Sequence, residues 1–291
     1  MNKIKGILSQ SGIASKLLIL IGTTCFFAVF GTLIWTIFTH GNTTEIGSLK
    51  LLQLVQSIGM FILPPVVLSY FWSEKPLQFL HLDRITKCSD LFYVGLFMII
   101  AIPFINLLGD LNHQLVLPKA LGGLETWMQT TEEQATQLTE KLLNVHNVQG
   151  LFLNIFLIAL IPALGEELFF RGALQGVIKD WKGVKIAIWI SAVIFSSIHF
   201  QFYGFLPRML MGAFFGYLLY WSGNIWLPIA AHFLNNMIAI IFYYLKYNGY
   251  KLPDIDTIGS GNTLWLGFAS GMAIVVGIYY LYKHFQKRAY N

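Results

Sequence analysis

The chain is a succession of long apolar runs, and these constrain its fold more than any other feature. Eight stretches are expected to be membrane spans: 17–38, 51–72, 91–108, 150–178, 184–200, 207–221, 225–245 and 263–282. A run of roughly 20 residues, rising ~1.5 Å per residue, matches a hydrocarbon core about 30 Å thick. In lipid a backbone satisfies its own N–H and C=O groups only as a helix or a closed barrel. A barrel would show short alternating segments, and the sequence has none. Charged residues make up 11% of the chain, against about a quarter in a soluble domain. The fold class expected is therefore all-α: a polytopic membrane helix bundle of about eight transmembrane helices, forming one integral membrane domain over 1–291. Pro64, Pro65, Pro103, Pro162 and Pro228 are expected to kink their spans.

The formal charge of +5 does not point to nucleic acid, because the basic residues are dispersed along the connections between runs. With the N-terminus inside, 13 of the 19 Lys and Arg residues fall in inner segments and 6 in outer ones. This bias predicts a multi-pass protein of the cell membrane with both termini cytoplasmic. Cys25 and Cys88, far apart in sequence, suggest neither a disulfide framework nor a metal site. The run that follows Lys3, Lys5 and Lys16 is too long for a signal-peptide core and reads as a retained first span. One connection is long, 110–149, on the expected outer side. Within it Thr130 and Glu133 have capping-box spacing, and Ala135, Leu138, Leu142 and Val145 recur every three or four residues. A short amphipathic helix is expected there, acting as a structural lid.

Three polar clusters interrupt the apolar pattern: Glu166-Glu167-x-x-x-Arg171, Phe195-x-x-x-His199 and His232-x-x-x-Asn236. Ionisable groups inside a span cost ~2.5–3.5 kcal/mol on insertion scales and are functional candidates by default. Taken singly, each cluster has a structural explanation: a buried ion pair, an interfacial histidine, an interhelical hydrogen-bond pair. Their depths argue for a joint role. Counted at ~1.5 Å per residue from the turn near 180–183, Glu166 and His199 both lie roughly 20–25 Å along an antiparallel hairpin. His232 and Asn236 lie about 12 and 18 Å above the turn at 222–224 by the same rise. All three clusters can share one level, within a core at about 150–245. Glu167 and Arg171, four apart with the acid first, are placed to pair. Glu166 is turned about 100° away and is free for another role. Phe195 packs one turn before His199.

No Ser or Cys sits in a nucleophile-elbow setting, and HExxH is absent, which excludes an ordinary zincin. What remains is water activation. Glu166, desolvated among Leu164, Leu168 and Phe170, is positioned to take a proton from water. His199 then orients that water or passes the proton to a leaving amine, and His232 and Asn236 donate to a tetrahedral oxyanion. Alternatively Glu166, His199 and His232 hold zinc or another divalent metal that activates the water. The carboxamide of Asn236 is a poor zinc ligand, so no cofactor is favoured.

The ordered triple on spans four, five and seven resembles the CPBP family, which comprises the type II CAAX prenyl proteases and the bacterial bacteriocin-processing and immunity (Abi-like) proteins. The resemblance covers Glu166 to Asn236 and implies a bacterial intramembrane endopeptidase. It also implies that Glu166 is the catalytic glutamate, that His199 assists it, that His232 and Asn236 form the oxyanion pocket, and that Glu167 and Arg171 order the site. Family annotation as metalloproteases leaves metal dependence open. The expected partners are the lipid bilayer and a peptide or membrane-tethered protein substrate. Two other classes stand beside this reading. One is a non-enzymatic immunity or peptide-binding protein. The other is a proton-coupled transporter, against which the polar groups gather in one half of the chain without inverted repeats.

Overall fold

The computed structural model describes residues 4–115 and 117–289. Lys3 and the side chains of Lys287 and Arg288, counted among the inner basic residues, lie outside the described residues. The described residues form helices and no strands: α1 (Ile13–Thr39), α2 (Ile46–Trp72), α3 (Cys88–His113), α4 (Gly122–Leu143), α5 (Val148–Lys182), α6 (Val184–Ser197), α7 (Phe205–Ser222), α8 (Trp226–Tyr247) and α9 (Leu264–Ala289). Seven of these are long and apolar enough to cross a membrane, and α6 is an apolar helix of 14 residues. Together they make the polytopic bundle expected. Large apolar side chains stand exposed on α1 and α9, among them Leu18, Ile37, Met272 and Val275. Lipid is the solvent that suits such surfaces.

Two packing clusters build the bundle. One joins Leu20 of α1, Leu68 and Trp72 of α2, Phe170 and Val177 of α5, and Ala187 and Phe195 of α6. The other joins Val94 and Phe97 of α3, Phe215 and Leu218 of α7, Leu227 and Ala231 of α8, and Leu281 and Phe285 of α9. The side chains singled out by sequence come from α5, α6 and α8, so they lie along the seam between the two clusters.

Several local expectations need correction. The helix of the long connection does not start at a Thr130–Glu133 capping box. Nothing from Leu124 to Thr130 breaks a helix, so α4 starts at Gly122 and runs 22 residues. Thr130 sits within it, its hydroxyl donating to the Thr126 carbonyl at 2.9 Å. Pro64 and Pro65 follow a wide, π-type turn at Ile58–Ile62, and Pro162 follows another at Ile155–Leu160. These turns adjust the hydrogen-bond ladder where a proline lacks its N–H. Pro228 is the third residue of α8, in the turn whose N–H groups have no helical acceptor, and it interrupts nothing. Lys50 and Arg208 are not in connections. Lys50 is buried in α2 and Arg208 lies in the first turn of α7. Arg171 is likewise buried within α5.

Candidate active site

Glu167 is the centre of the polar seam. Its Oε1 accepts from Arg171 Nη1 at 2.8 Å and from His232 Nδ1 at 2.9 Å, and the residue is 0% exposed. The pairing with Arg171 is the one its spacing predicted, although the stretch Leu168–Leu174 between them is a third wide turn of α5. Arg171 has a second partner that the sequence reading missed: its Nη2 donates to the Gly212 carbonyl on α7 at 2.9 Å. A methyl group at Gly212 would lie 3.1 Å from the Phe195 ring and 3.2 Å from Arg171 Nη2, so glycine is what lets α7 approach. The guanidinium also faces three aromatic rings, with centroids at 4.6 Å for Phe195, 5.4 Å for Phe215 and 5.9 Å for Phe170. These contacts offset part of the desolvation of a buried cation.

His199 follows α6 at a point where the chain reverses. Phe200 has a left-handed backbone, φ 53°, a conformation rare for a bulky residue. The His199 Nδ1 lies 2.7 Å from the Phe195 carbonyl, which can only accept, so Nδ1 carries the proton and a neutral ring offers its Nε2 lone pair. The loop that holds His199 is tied down from several sides. Asn112 of α3 donates to the Phe202 carbonyl and accepts from the Leu206 N–H, each at 2.9 Å. Glu132 of α4 accepts from the Tyr203 N–H at 3.2 Å, and Trp127 of α4 packs on Phe202 at 5.2 Å. Arg208 donates to the carbonyl and side-chain oxygens of Gln201. The amphipathic helix therefore rests on the segment that carries His199.

Glu166 faces both histidines. Its Oε2 is 3.9 Å from His199 Nε2 and 3.9 Å from His232 Nε2, too far for direct hydrogen bonds. That oxygen is buried and has no hydrogen-bond partner among the described residues. Phe195 stands edge-on to both imidazoles, at 5.0 Å from His199 and 5.9 Å from His232, and Phe215 stacks on His232 at 5.5 Å. The structure thus brings together Glu166, Glu167, Arg171, Phe195, His199 and His232. Asn236 sits one turn beyond His232, where its Oδ1 accepts from Asn235 Nδ2 at 3.3 Å. Asn112, Gly212 and Phe215 are additions. Gly212 and Gly216 have the small-xxx-small spacing of closely packed membrane helices, a signal that could have found the first of them. Among the described residues no three His, Cys, Asp or Glu side chains are grouped as metal ligands. The carboxylate and two imidazoles have the right chemistry for zinc, but they are spread around a common point and do not close on it.

Residues 148–238, the stretch that holds this constellation, match the family described as Type II CAAX prenyl endopeptidase Rce1-like. That segment is an Rce1-like CAAX endopeptidase domain. Three curated relatives are similar to parts of the chain. The membrane-embedded CAAX protease MroQ of Staphylococcus aureus is 32% identical over 126 residues, covering 41% of this chain and 50% of the relative. The putative membrane peptidase YdiL of Bacillus subtilis is 30% identical over 103 residues, or 35% and 41%. YpbD, also of Bacillus subtilis, is 29% identical over 85 residues, or 28% and 41%. The chain spans half or less of the length of these relatives. No solved structure matches it.

Proposed function

We propose that the chain is an intramembrane endopeptidase that hydrolyses a peptide bond in a membrane-associated peptide or protein. The observation that supports this best is the unpartnered Glu166 Oε2, 3.9 Å from the Nε2 of each histidine. Two acceptors at that separation suit one water molecule, which donates one proton to Glu166 and the other to the free Nε2 of His199. On attack, the water oxygen bonds to the scissile carbonyl carbon and Glu166 takes its proton. The proton then passes, with His199 beside it, to the nitrogen of the breaking C–N bond.

His232 serves as oxyanion donor only with both ring nitrogens protonated, because Glu167 already accepts from Nδ1. Charge supports that state. Glu166, Glu167, Arg171 and an imidazolium at His232 sum to zero, the arrangement a low-dielectric interior tolerates best. Asn236, one turn further along α8, reaches the same carbonyl once its amide turns from Asn235. This reading uses no metal; zinc bound by Glu166, His199 and His232 is the alternative that chelation tests. The expected setting is the cell membrane, multi-pass, with both termini cytoplasmic.

The test is a cleavage assay with purified protein and a library of membrane peptides, comparing wild type with Glu166→Gln. The amide keeps size and hydrogen bonding but cannot take a proton, so turnover should fall at least ~100-fold. Folding should survive, since an amide is cheaper to bury than a carboxylate. Near-normal turnover in the variant would reject the mechanism. Specific peptide binding without cleavage by either protein would favour an immunity or binding role.

A further inference from the structure

Hydrolysis inside a membrane needs a route for water, and α2 carries polar groups that no step above uses. Lys50 and Ser57 are 7% and 9% exposed, and the Gln53 Oε1 is buried without a hydrogen-bond partner. At 100° per residue, Ser57 lies within about 20° of Lys50 around the helix axis, and Gln53 lies within about 60° of both. The three form one polar stripe, two turns long, on a helix that is otherwise largely apolar.

The direction of the stripe follows from its neighbours. Val55 and Gly59, on the far side of α2, pack against Gly31 and Phe27 of α1. The Ser57 carbonyl and the Phe61 Cβ lie 3.4 and 3.0 Å from where a methyl group at Gly165 of α5 would sit. Glycine there keeps α2 and α5 close, and the next residue is Glu166. From Ser57 the stripe climbs ~10 Å at 1.5 Å per residue to Lys50, near the α4 end of the bundle. At that end Lys141 of α4 donates to the Thr44 carbonyl just before α2.

We propose that the Lys50–Gln53–Ser57 stripe is the water conduit of the site. It takes water in at the α4 side and delivers it along the α2–α5 contact to Glu166, and it rests on the hydrolytic reading of that residue. A buried acceptor such as Gln53 Oε1 costs about 1–3 kcal/mol unless something donates to it. Water is the donor that fits, because the side chains around it are packed too closely to admit a peptide. An unpaired lysine ammonium in a span has the same need, and no carboxylate among the described residues lies within ion-pair distance of Lys50. The unpartnered Gln53 Oε1 and Glu166 Oε2 are then successive stations of one path.

The experiment reads water access without relying on activity. In full-length protein with the exposed Cys25 and Cys88 replaced by serine, single cysteines are placed at Gln53, Ser57 and Val55. Each is exposed in proteoliposomes to silver ion, a probe small enough for a water path, and free thiols are counted after denaturation. A thiol reacts as thiolate, which forms in water and not in an apolar contact, so Gln53→Cys and Ser57→Cys should be blocked at least ~10-fold faster than Val55→Cys. Equal rates at all three positions would overturn the conduit. A second arm uses cleavage. Gln53→Leu should lower kcat with KM unchanged, and Gln53→Ser should restore it; unchanged turnover in Gln53→Leu would also overturn the proposal. If the wild type cleaves nothing, the protease reading fails and silver access alone decides the conduit.

Discussion

Breaking the Glu167–Arg171 pair from one side should harm the protein more than removing both charges. Arg171 is 1% exposed and donates to Glu167 and to the Gly212 carbonyl. Arg171→Met leaves a fully buried carboxylate held by His232 alone, together with an unpaired carbonyl on α7. Loss of one partner of a buried pair costs about 3–5 kcal/mol. Adding Glu167→Gln removes the uncompensated charge, and apolar or neutral replacement of a whole ion pair is often close to neutral. The double variant should therefore recover roughly 2–3 kcal/mol relative to the sum of the single changes, within the range seen for directly coupled residues. The assay is unfolding in mixed micelles with increasing denaturing detergent, followed by tryptophan fluorescence, for wild type, both single variants and the double. Turnover should not recover with stability, because the glutamine at 167 no longer supports an imidazolium at His232. Effects that add to within ~0.5 kcal/mol would refute the coupling drawn from the 2.8 Å contact.

Three further outcomes are expected. Exhaustive chelation, with elemental analysis finding no bound metal, should leave cleavage intact, and His232→Ala should lower kcat more than it raises KM. Activity lost on chelation and restored by stoichiometric zinc would make His232 a ligand instead. Gly212→Ala should cost ~1–3 kcal/mol by overpacking Phe195 and Arg171, measured by the same unfolding titration; a neutral effect would mean that α7 can back away. A cysteine at Thr136 should react with an impermeant reagent from outside intact cells and one at Asp180 should not. The opposite pattern would reverse the orientation drawn from the basic residues.

The helical class and the meeting of the three motifs were legible because each rests on local arithmetic. Apolar run length gives the spans, and rise per residue places Glu166, His199 and His232 at one depth. The ion pair Glu167–Arg171 was legible for the same reason. Features that depend on another helix were not. Lys50 reads as a loop lysine beside an apolar run, and only the packing of α2 against α5 puts it inside. Gly212 is one glycine among 26 until Arg171 is seen to need its carbonyl. Thr130 and Glu133 have the spacing of a helix start, yet a helix already under way absorbs them. The second role of Glu167, as acceptor for His232 Nδ1, needed the two chains side by side.

The wide turn at Leu168–Leu174 gives α5 one residue more than the same length of ordinary α-helix would use. Its consequence is a change of phase. Glu166 and Glu167 lie on one side of the extra residue and the stretch Gln175–Lys182 on the other, so the angle between them is set by neither segment's own pattern. Deleting any one residue within the turn would let it close into regular helix and swing everything beyond by about 100°. Among relatives, then, a one-residue difference in length at this point is a rotation of a helical face, and an alignment that treats it as an ordinary gap will pair the wrong sides.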